Sequence, residues 1–175
     1  MKGLVQIYTG NGKGKTTAAV GLGIRAYGSG LKVLMVQFLK GAETGELKVL
    51  NTLAPDFRLY RSKKIKGFIW NMNEDEKQEL GRQTREAFDL AVKAVKSGEW
   101  DMLILDELMG AISNKLISVE AAVALIKNKP EKLEIVMTGR NAPPELVSLA
   151  DYVSDIAALK HPMDMGITAR KGIEY

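Results

Sequence analysis

The sequence predicts an α/β fold with three layers, in which helices cover both faces of a mostly parallel central sheet. Three observations predict this class. Short apolar segments typical of buried strands recur along the chain, segments with helical character lie between them, and a glycine-rich loop joins the first strand to the first helix. Strands that alternate with helices are joined by right-handed crossovers, which place the strands parallel to one another.

The first apolar segment, Leu4 to Tyr8, leads into the phosphate loop, by which we mean residues Thr9 to Thr17 with the sequence TGNGKGKTT. The loop fits the pattern G-x-x-x-x-G-K-[ST] except that Thr9 replaces the first glycine. Glycines let backbone N–H groups converge on phosphate oxygens, and the next helix adds the positive end of its dipole. The predicted ligand is a nucleoside triphosphate. The loop residues expected to hold it are Gly10, Asn11, Gly12, Lys13, Gly14, Lys15, Thr16 and Thr17.

Within this loop, two side chains have distinct predicted roles. Lys15 is expected to reach the β- and γ-phosphates, and Thr16 is expected to ligate Mg²⁺.

A helix and a second strand should follow the loop. The helix runs through Thr17 to Ala26, and Gly28-Ser29-Gly30 provides its stop signal. Residues Lys32 to Phe38 read KVLMVQF, which is typical of a buried strand. The polar loop 40–46 comes next, and ligands of open α/β sheets bind at such strand ends.

The region 57–70 combines a weaker strand candidate, Phe57 to Tyr60, with a mixture of basic and aromatic residues. The mixture comprises Arg58, Arg61, Lys63, Lys64, Lys66, Phe57, Tyr60, Phe68 and Trp70. It fits stacked bases of a nucleic acid, a lid over a flat organic ligand, or aromatic residues packed in the core. Composition does not separate these three interpretations.

A long helix is predicted from about Glu74 to Lys96. Asn73 with Glu76 three positions later forms a capping pattern at its start. Apolar residues then recur at helical spacing, which predicts a face packed in the core.

The later part of the chain predicts two buried strands, Trp100 to Leu105 and Glu134 to Thr138. Pro143-Pro144 can begin a further helix, and Tyr152 to Leu159 is predicted as the last strand. Residues 160–175 are expected to form an irregular tail.

The strand that ends at Asp106-Glu107 resembles a Walker B element. A carboxylate at this strand end can hold Mg²⁺ or its water opposite Thr16, and either Asp106 or Glu107 could be the closer partner. A simpler interpretation is that Asp106 caps the segment that begins at Leu108.

Composition limits the chemistry further. A chain of 175 residues fits one domain, 1–175, and the absence of cysteine excludes disulfides, zinc thiolates and a thiol nucleophile. The single histidine, His161, excludes a multi-histidine metal site. No apolar run approaches a membrane span, so we predict a cytoplasmic protein with no membrane partner. The balance of 25 basic against 21 acidic residues suits a polyanionic ligand but not a dedicated nucleic-acid binder.

Taken together, the motifs resemble those of the ATP:corrinoid adenosyltransferases of the CobA/BtuR type. The resemblance spans nearly the whole chain. It is carried by Thr9 to Thr17, Val36-Gln37-Phe38, Lys40-Gly41, Gly67-Phe68-Ile69-Trp70, Leu105-Asp106-Glu107-Leu108, Thr138-Gly139-Arg140, Lys160-His161 and Gly172-Ile173-Glu174-Tyr175. It implies a RecA-like P-loop NTPase fold, a homodimer, and transfer of the 5′-deoxyadenosyl group from Mg²⁺-ATP, or Mn²⁺-ATP, to the cobalt of a reduced corrinoid, with release of triphosphate.

The resemblance also implies roles for single residues. Lys15, Thr16 and Glu107 would be catalytic, and Thr16, Asp106 and Glu107 would hold the metal ion. Arg25 and Arg140 would be further nucleotide contacts. Phe68 and Trp70 match the family's aromatic pair, which would fill the lower face of the corrin. ATP would lie with its γ-phosphate deepest in the loop, so that C5′ faces cobalt, and a reduced flavoprotein is a candidate electron donor.

Three other functions compete with this interpretation. A RecA-like nucleic-acid-dependent ATPase would release orthophosphate, and a nucleotide-sensing regulatory module would bind partners without forming a product. A small-molecule kinase of the thymidine-kinase kind would bring zinc-binding cysteines, which this chain lacks. The sequence leaves open the preferred corrinoid (cobalamin, cobinamide or cobyrinic acid a,c-diamide) and the base selectivity. It also leaves open what closes the site where relatives carry an extension before the first strand.

Overall fold

The computed structural model describes residues 2–40, 44–61 and 71–174. Over these ranges the chain alternates between strands and helices, as predicted. The elements in order are β1 Val5–Thr9, α1 Lys15–Gly28, β2 Val33–Gln37, α2 Gly45–Asn51, β3 Phe57–Arg61, α3 Glu74–Ser97, β4 Met102–Asp106, α4 Leu108–Ser113, α5 Val119–Lys127, β5 Glu134–Thr138, α6 Pro144–Val147, β6 Tyr152–Asp155 and a 3-10 turn, Pro162–Met165.

The described strands form one sheet in the order β3-β2-β4-β5-β1-β6, and every described pair is parallel. Strand β5 therefore lies between β1, which leads into the phosphate loop, and β4, which ends at Asp106. The register places Gln37 beside Asp106 and Thr138 beside Tyr8. Because the carboxyl ends of parallel strands share one edge of the sheet, these polar residues meet there. The predicted α/β fold with a parallel central sheet and helices on both faces is confirmed.

Two apolar clusters cover the two faces of the sheet. One includes Phe88 of α3, Leu108 of α4 and Leu125 of α5, and the other includes Ala19 and Ala26 of α1. Every residue of β2, β4 and β5 is buried, as expected for parallel strands with helices on both sides. This packing fixes the strand ends that carry the polar residues of the site.

Helix α3 begins and ends as the sequence predicts. The side chain of Asn73 accepts a hydrogen bond from the backbone N–H of Glu76 at 2.9 Å, and the Glu76 carboxylate accepts one from the Asn73 N–H at 2.9 Å. Gly98 ends the helix with a φ of 67°, a left-handed conformation that glycine adopts without strain.

The last strand is shorter than predicted, because β6 ends at Asp155 rather than at Leu159. Beyond Asp155 the backbone leaves the sheet: the Ile156 N–H donates to the carbonyl of Thr9, and the Ile156 carbonyl accepts from the N–H of Gly12. The hydrogen bonds that would continue the strand are used to hold the phosphate loop instead.

Further differences concern one strand boundary and three short helices. Strand β4 begins at Met102 rather than Trp100, and helices α2, α4 and α5 were not predicted. Among the residues that the structure describes, no helix has both the length and the hydropathy needed to cross a bilayer.

Candidate active site at the phosphate loop

The phosphate loop needs glycine at three positions for different reasons. Gly10 and Gly14 have φ values of 96° and 120°, which side-chain-bearing residues rarely adopt. A Cβ atom at Gly10 would lie 2.1 Å from Oδ1 of Asp155, and one at Gly12 would lie 2.6 Å from the carbonyl oxygen of Ile156. Gly14 has open space around it, so only its backbone conformation requires glycine.

Lys15 is held across the loop in this structure. Its ammonium donates hydrogen bonds to the carbonyl oxygens of Gly10 at 2.7 Å and Gly12 at 2.8 Å. Burial, followed by the nearby charge of Arg140, lowers the pKa of Lys15. The Lys15 ammonium therefore lies where the loop's backbone N–H groups are expected to receive phosphate, with Arg140 as a neighbouring cation.

Asp106 is the centre of a buried hydrogen-bond network. Its Oδ1 accepts from the hydroxyls of Thr16 at 2.8 Å and Thr138 at 2.7 Å. Its Oδ2 accepts from the Gln37 amide at 3.0 Å and forms an ion pair with Lys40 at 2.8 Å. Burial alone would raise the pKa of Asp106, but Lys40 and the donated hydrogen bonds hold the pKa below its usual value. The carboxylate is therefore ionised in the folded protein.

Glu107 follows directly and has an unusual backbone. Its φ of 61° and ψ of 27° are left-handed, a conformation that costs a residue with a side chain about 1–2 kcal/mol. Its N–H donates to the Thr138 hydroxyl at 2.9 Å, and its side chain lines the cavity described below. Burial and the neighbouring charge of Asp106 raise the pKa of Glu107. Strain of this kind clusters at functional sites.

These side chains can be compared with what a divalent cation requires. The described residues contain no cluster of three histidine, cysteine or carboxylate side chains that could hold a metal ion by itself. Mg²⁺ needs less, because it keeps several waters and takes one or two carboxylates together with substrate phosphates. The Thr16 hydroxyl, Asp106 and Glu107 at the mouth of a phosphate loop fit that description.

A second set of contacts extends the network away from the phosphate loop. The Oε1 atom of Gln37 accepts from Nε of Arg61 at 2.9 Å and from its Nη2 at 2.6 Å. Nη2 of Arg61 also donates to the Thr44 hydroxyl at 2.9 Å. Gln37 therefore joins the Asp106 carboxylate to a charged residue at the end of β3.

The site opens into one large cavity of about 870 Å³, a size typical of small-molecule pockets. It is lined mostly by polar residues from several separate parts of the chain. The lining includes Asn11 to Thr17, Lys40, Thr44 to Glu46, Glu107, Asn114, Arg140, His161 and Gly172 to Glu174. We call this space the phosphate-loop cavity.

The C-terminal segment forms one wall of the phosphate-loop cavity. The Glu174 carboxylate accepts a hydrogen bond from the Lys13 ammonium at 3.1 Å and is also bound by Arg170. The hydrogen bonds from Arg170 lower the pKa of Glu174 to about 2. The Glu174 carboxylate thus lies beside the phosphate loop and binds Lys13, a cation expected to contact the nucleotide.

Most residues predicted for the site do lie together. The loop residues 11–17, Glu107 and Arg140 line one cavity, and Asp106 lies buried behind Thr16. Arg25 does not join them, because it lies in the last turn of α1, about 15 Å along the helix from Lys15. Phe68 and Trp70 lie outside the described residues.

Sequence reasoning gave no role to Lys40, Gln37, Thr138 or Glu174. All four lie in motifs that carry the family resemblance, and Gln37 gave a further signal because a buried amide inside the apolar segment KVLMVQF requires partners. The positions of the other three side chains depend on how distant segments meet.

Sequence comparisons with known proteins point to one family. A family model described as ATP:corrinoid adenosyltransferase BtuR/CobO/CobP matches residues 1–175. The corrinoid adenosyltransferase of Escherichia coli is 34% identical over 175 residues, covering 99% of this chain and 86% of that protein. Corrinoid adenosyltransferase CobA of Salmonella typhimurium is 34% identical over 183 residues, with the same coverage. The corrinoid adenosyltransferase of Pseudomonas aeruginosa is 31% identical over 175 residues, covering 99% of this chain and 84% of that protein.

Proposed function

Because the chain belongs to the ATP:corrinoid adenosyltransferase family, we propose that the phosphate-loop cavity is where it transfers the 5′-deoxyadenosyl group of ATP to a reduced corrinoid. In this reaction the electron pair of Co(I) attacks C5′ of ATP. The cobalt–carbon bond forms, the bond between C5′ and oxygen breaks, and the electron pair of that bond leaves with triphosphate. The observation that carries the proposal is the group of cations, Lys13, Lys15, Lys40 and Arg140, around one phosphate loop.

The main requirement of this reaction is stabilisation of the leaving triphosphate. Lys15 can exchange its two bonds to loop carbonyls for bonds to phosphate oxygens, which it would strengthen as negative charge develops. The backbone N–H groups of the loop add fixed positive dipoles. With the γ-phosphate deepest in the loop, C5′ would face the open side of the cavity, where cobalt must approach in line.

We propose that Thr16, Asp106 and Glu107 hold Mg²⁺, or Mn²⁺ in its place, and the ion would neutralise charge on the triphosphate. The hydrogen bond of 2.8 Å between the Thr16 hydroxyl and Asp106 supports this assignment, because it joins two of the ligands across the loop.

No side chain is needed as a general base, because Co(I) carries its own electron pair and no proton is removed from it. This agrees with a site that has carboxylates and cations but no cysteine. The catalytic role of Glu107 would therefore be to orient the metal ion and its water, next to the triphosphate.

Phe68 and Trp70 are proposed to pack against the lower face of the corrin. Their bulk would favour a four-coordinate Co(II) that has lost its lower axial ligand, which makes reduction to Co(I) easier. A reduced flavoprotein is the proposed electron donor.

Three proposals concern the protein as a whole. The single sheet with an apolar cluster on each face supports one domain over residues 1–175. We also propose a homodimer, supported by exposed apolar side chains on β6 and in the segment after it. A cytoplasmic location stays a prediction.

Product analysis tests the proposed function. The protein is incubated with ATP and chemically reduced cobalamin, and the products are separated by chromatography. We expect adenosylcobalamin and triphosphate in equal amounts. ADP or orthophosphate as the main product would contradict the proposal and favour an ATPase or a kinase.

A matched pair of lysine variants makes this test specific for the loop. Lys15→Ala should lower kcat/KM, because it loses transition-state stabilisation on the order of 3 kcal/mol, as when one preorganised donor is removed from an anion site. Lys77→Ala removes a lysine of α3 that pairs with Glu74 away from the cavity, and it should leave kcat/KM unchanged.

A further inference from the structure

The ammonium of Lys40 lies on the oxygens that the proposed function assigns to the metal ion. Nζ of Lys40 lies 2.8 Å from Oδ2 of Asp106 and donates to the Thr16 hydroxyl at 3.0 Å. The same hydroxyl donates to Oδ1 of Asp106 at 2.8 Å. Lys40 therefore contacts both Asp106 and Thr16, two of the groups that would hold a divalent cation.

Asp106 needs a counter-charge in this environment. Its side chain is 0% exposed, and an ionised carboxylate without a partner is costly at such a site. Thr16, Thr138 and Gln37 donate neutral hydrogen bonds. Lys40, whose side chain is 25% exposed, places its positive charge in direct contact with Asp106.

A metal ion and this ammonium cannot occupy the site together. Mg²⁺ binds oxygen at about 2.0–2.1 Å and demands near-octahedral geometry. An ammonium within 3.0 Å of the same two oxygens takes their lone pairs and repels the ion. A divalent cation must therefore displace Lys40 before it can bind.

Displacement is easier when a nucleotide is present, because the Lys40 ammonium then has a new partner. Lys40 lines the same cavity as Asn11 to Thr17, so a triphosphate in the loop would offer it phosphate oxygens. Without a nucleotide, the displaced ammonium would lose an ion pair and gain only water.

We propose that Lys40 is a built-in cation that excludes divalent metal ions from Thr16 and Asp106 until ATP arrives, and that it then transfers to the triphosphate. This inference rests on the proposed function, which makes Thr16 and Asp106 metal ligands. It assigns Lys40 a positioning role and predicts that metal and nucleotide enter together.

Direct metal binding tests the inference without turnover. Mn²⁺ is titrated into nucleotide-free protein, and free Mn²⁺ is measured by electron paramagnetic resonance. The variants are Lys40→Met, which keeps the length of the side chain but not its charge, and Lys40→Arg, which keeps the charge. We expect Lys40→Met to bind Mn²⁺ at least about tenfold more tightly than the wild type, because the variant lacks the ammonium that competes with Mn²⁺ for Asp106 and Thr16. Lys40→Arg should bind as weakly as the wild type.

The same titration with triphosphate present should show a smaller difference between wild type and Lys40→Met. Equal or weaker Mn²⁺ affinity of nucleotide-free Lys40→Met would overturn the inference. Lys48→Met, which removes an exposed lysine of α2, serves as the control and should bind Mn²⁺ as the wild type does.

If Lys40→Met does not fold, Lys40→Gln is measured instead, with its melting temperature recorded with and without Mn²⁺. A rise in the melting temperature of Lys40→Gln on addition of Mn²⁺ alone, with no such rise in the wild type, supports the inference. If Mn²⁺ does not raise the melting temperature of Lys40→Gln, the inference is overturned.

Failure of the inference can be separated from failure of the proposed function. Asp106→Asn should lose Mn²⁺ binding even with triphosphate present if Asp106 is a metal ligand. Retained binding in Asp106→Asn would refute the metal assignment itself. Loss in Asp106→Asn combined with unchanged affinity in Lys40→Met would refute only the role of Lys40.

Discussion

Thr138 shows how a single hydroxyl supports two neighbouring carboxylates. It donates to Oδ1 of Asp106 at 2.7 Å and accepts from the Glu107 N–H at 2.9 Å, and its side chain is fully buried. The hydroxyl therefore adds to the effect of Lys40 in lowering the pKa of Asp106, and it helps to hold the left-handed backbone of Glu107.

Replacement of Thr138 by valine keeps the shape of the side chain but removes both hydrogen bonds. We expect Thr138→Val to lower the free energy of unfolding by about 1–3 kcal/mol, because the part-buried Glu107 N–H is left without a partner and Asp106 loses a donor. Thr138→Ser retains the hydroxyl, so its free energy of unfolding should fall much less. Urea denaturation measures both, and a larger loss of stability in Thr138→Ser than in Thr138→Val would show that the methyl group, not the hydroxyl, matters.

Glu107 makes stability depend on pH in a predictable direction. Its pKa is raised above the ordinary value of 4.5, so the folded protein holds this proton more tightly than the unfolded chain does. The contribution of Glu107 to stability is therefore fully present below the unfolded pKa and is lost as the pH rises through the folded pKa.

The variant Glu107→Gln, which cannot ionise, should escape this loss. In metal-free protein, we expect its melting temperature to exceed that of the wild type at roughly pH 8, with the difference disappearing near roughly pH 4. Thermal scans across this range measure the effect. A difference that grows as the pH falls would mean that the sign is wrong.

The proposed aromatic pair can be tested by its effect on cobalt. Replacement of both Phe68 and Trp70 by alanine should abolish the electron paramagnetic resonance signals of four-coordinate Co(II) corrinoid. ATP binding, measured by calorimetry, should be retained because the phosphate loop is unchanged. Unchanged spectra in the double variant would remove this role for the two residues.

At the residue scale, the sequence predicted the side chains that belong to a contiguous motif and missed those that do not. Lys15 and Thr16 follow from the loop pattern, and Asp106 and Glu107 follow from their place after a buried strand. Lys40 has no local pattern, since its role depends on Asp106 in a strand 66 positions later. Arg25 was selected by its charge, but the direction of α1 carries it away from the loop.

Helix α1 contains two glycines with opposite structural roles. Gly21 is exposed, and a Cβ atom there would have no neighbour within 4 Å. Gly23 is buried, and a Cβ atom there would lie 2.9 Å from Cδ1 of Ile104 and 3.0 Å from Cε2 of Phe57. The second glycine therefore sets how closely the helix packs on the sheet.

Alanine substitution should separate the two. We expect Gly21→Ala to raise the free energy of unfolding by about 0.5–1 kcal/mol, because alanine favours the helix. Gly23→Ala should lower it by about 1–3 kcal/mol, since the added methyl overpacks the core. Chemical denaturation of both proteins gives the two values, and a Gly23→Ala protein as stable as the wild type would contradict the packing argument.

At the element scale, long and strongly patterned segments were predicted well. The capping box and apolar stripe of α3 gave its start at Glu74 and nearly its end. Helix α2 was missed because its seven residues, GELKVLN, are too short for a periodic pattern. The end of β6 was placed too late because the apolar residues after Asp155 fit a strand, whereas the backbone there binds the phosphate loop.

For the whole molecule, the distribution of exposed apolar side chains supports the proposed homodimer. Tyr152 and Val153 of β6 are exposed, as are Leu159, Met163 and Met165 in the segment that follows. An edge strand with apolar residues and unpaired backbone groups is a favourable surface for association.

We expect the protein to sediment as a dimer in analytical ultracentrifugation at micromolar concentration. The double variant Leu159→Asp and Met163→Asp should shift it towards the monomer, because charges would be buried at the interface. Val49→Asp changes an exposed valine of α2 elsewhere and should leave the dimer intact. A monomeric wild type, or equal dissociation of both variants, would contradict this assignment of the surface.

The insertion of β5 between β1 and β4 has a consequence for synthesis of the chain. The Thr16 hydroxyl meets its partner 90 residues later, and Asp106 receives its second hydroxyl from Thr138 a further 32 residues on. A ribosome adds about 5–20 residues per second, so the nascent chain exposes its glycine-rich loop for on the order of ten seconds before the rest of the site exists. The network around Asp106 can therefore be completed only after Thr138 has been synthesised.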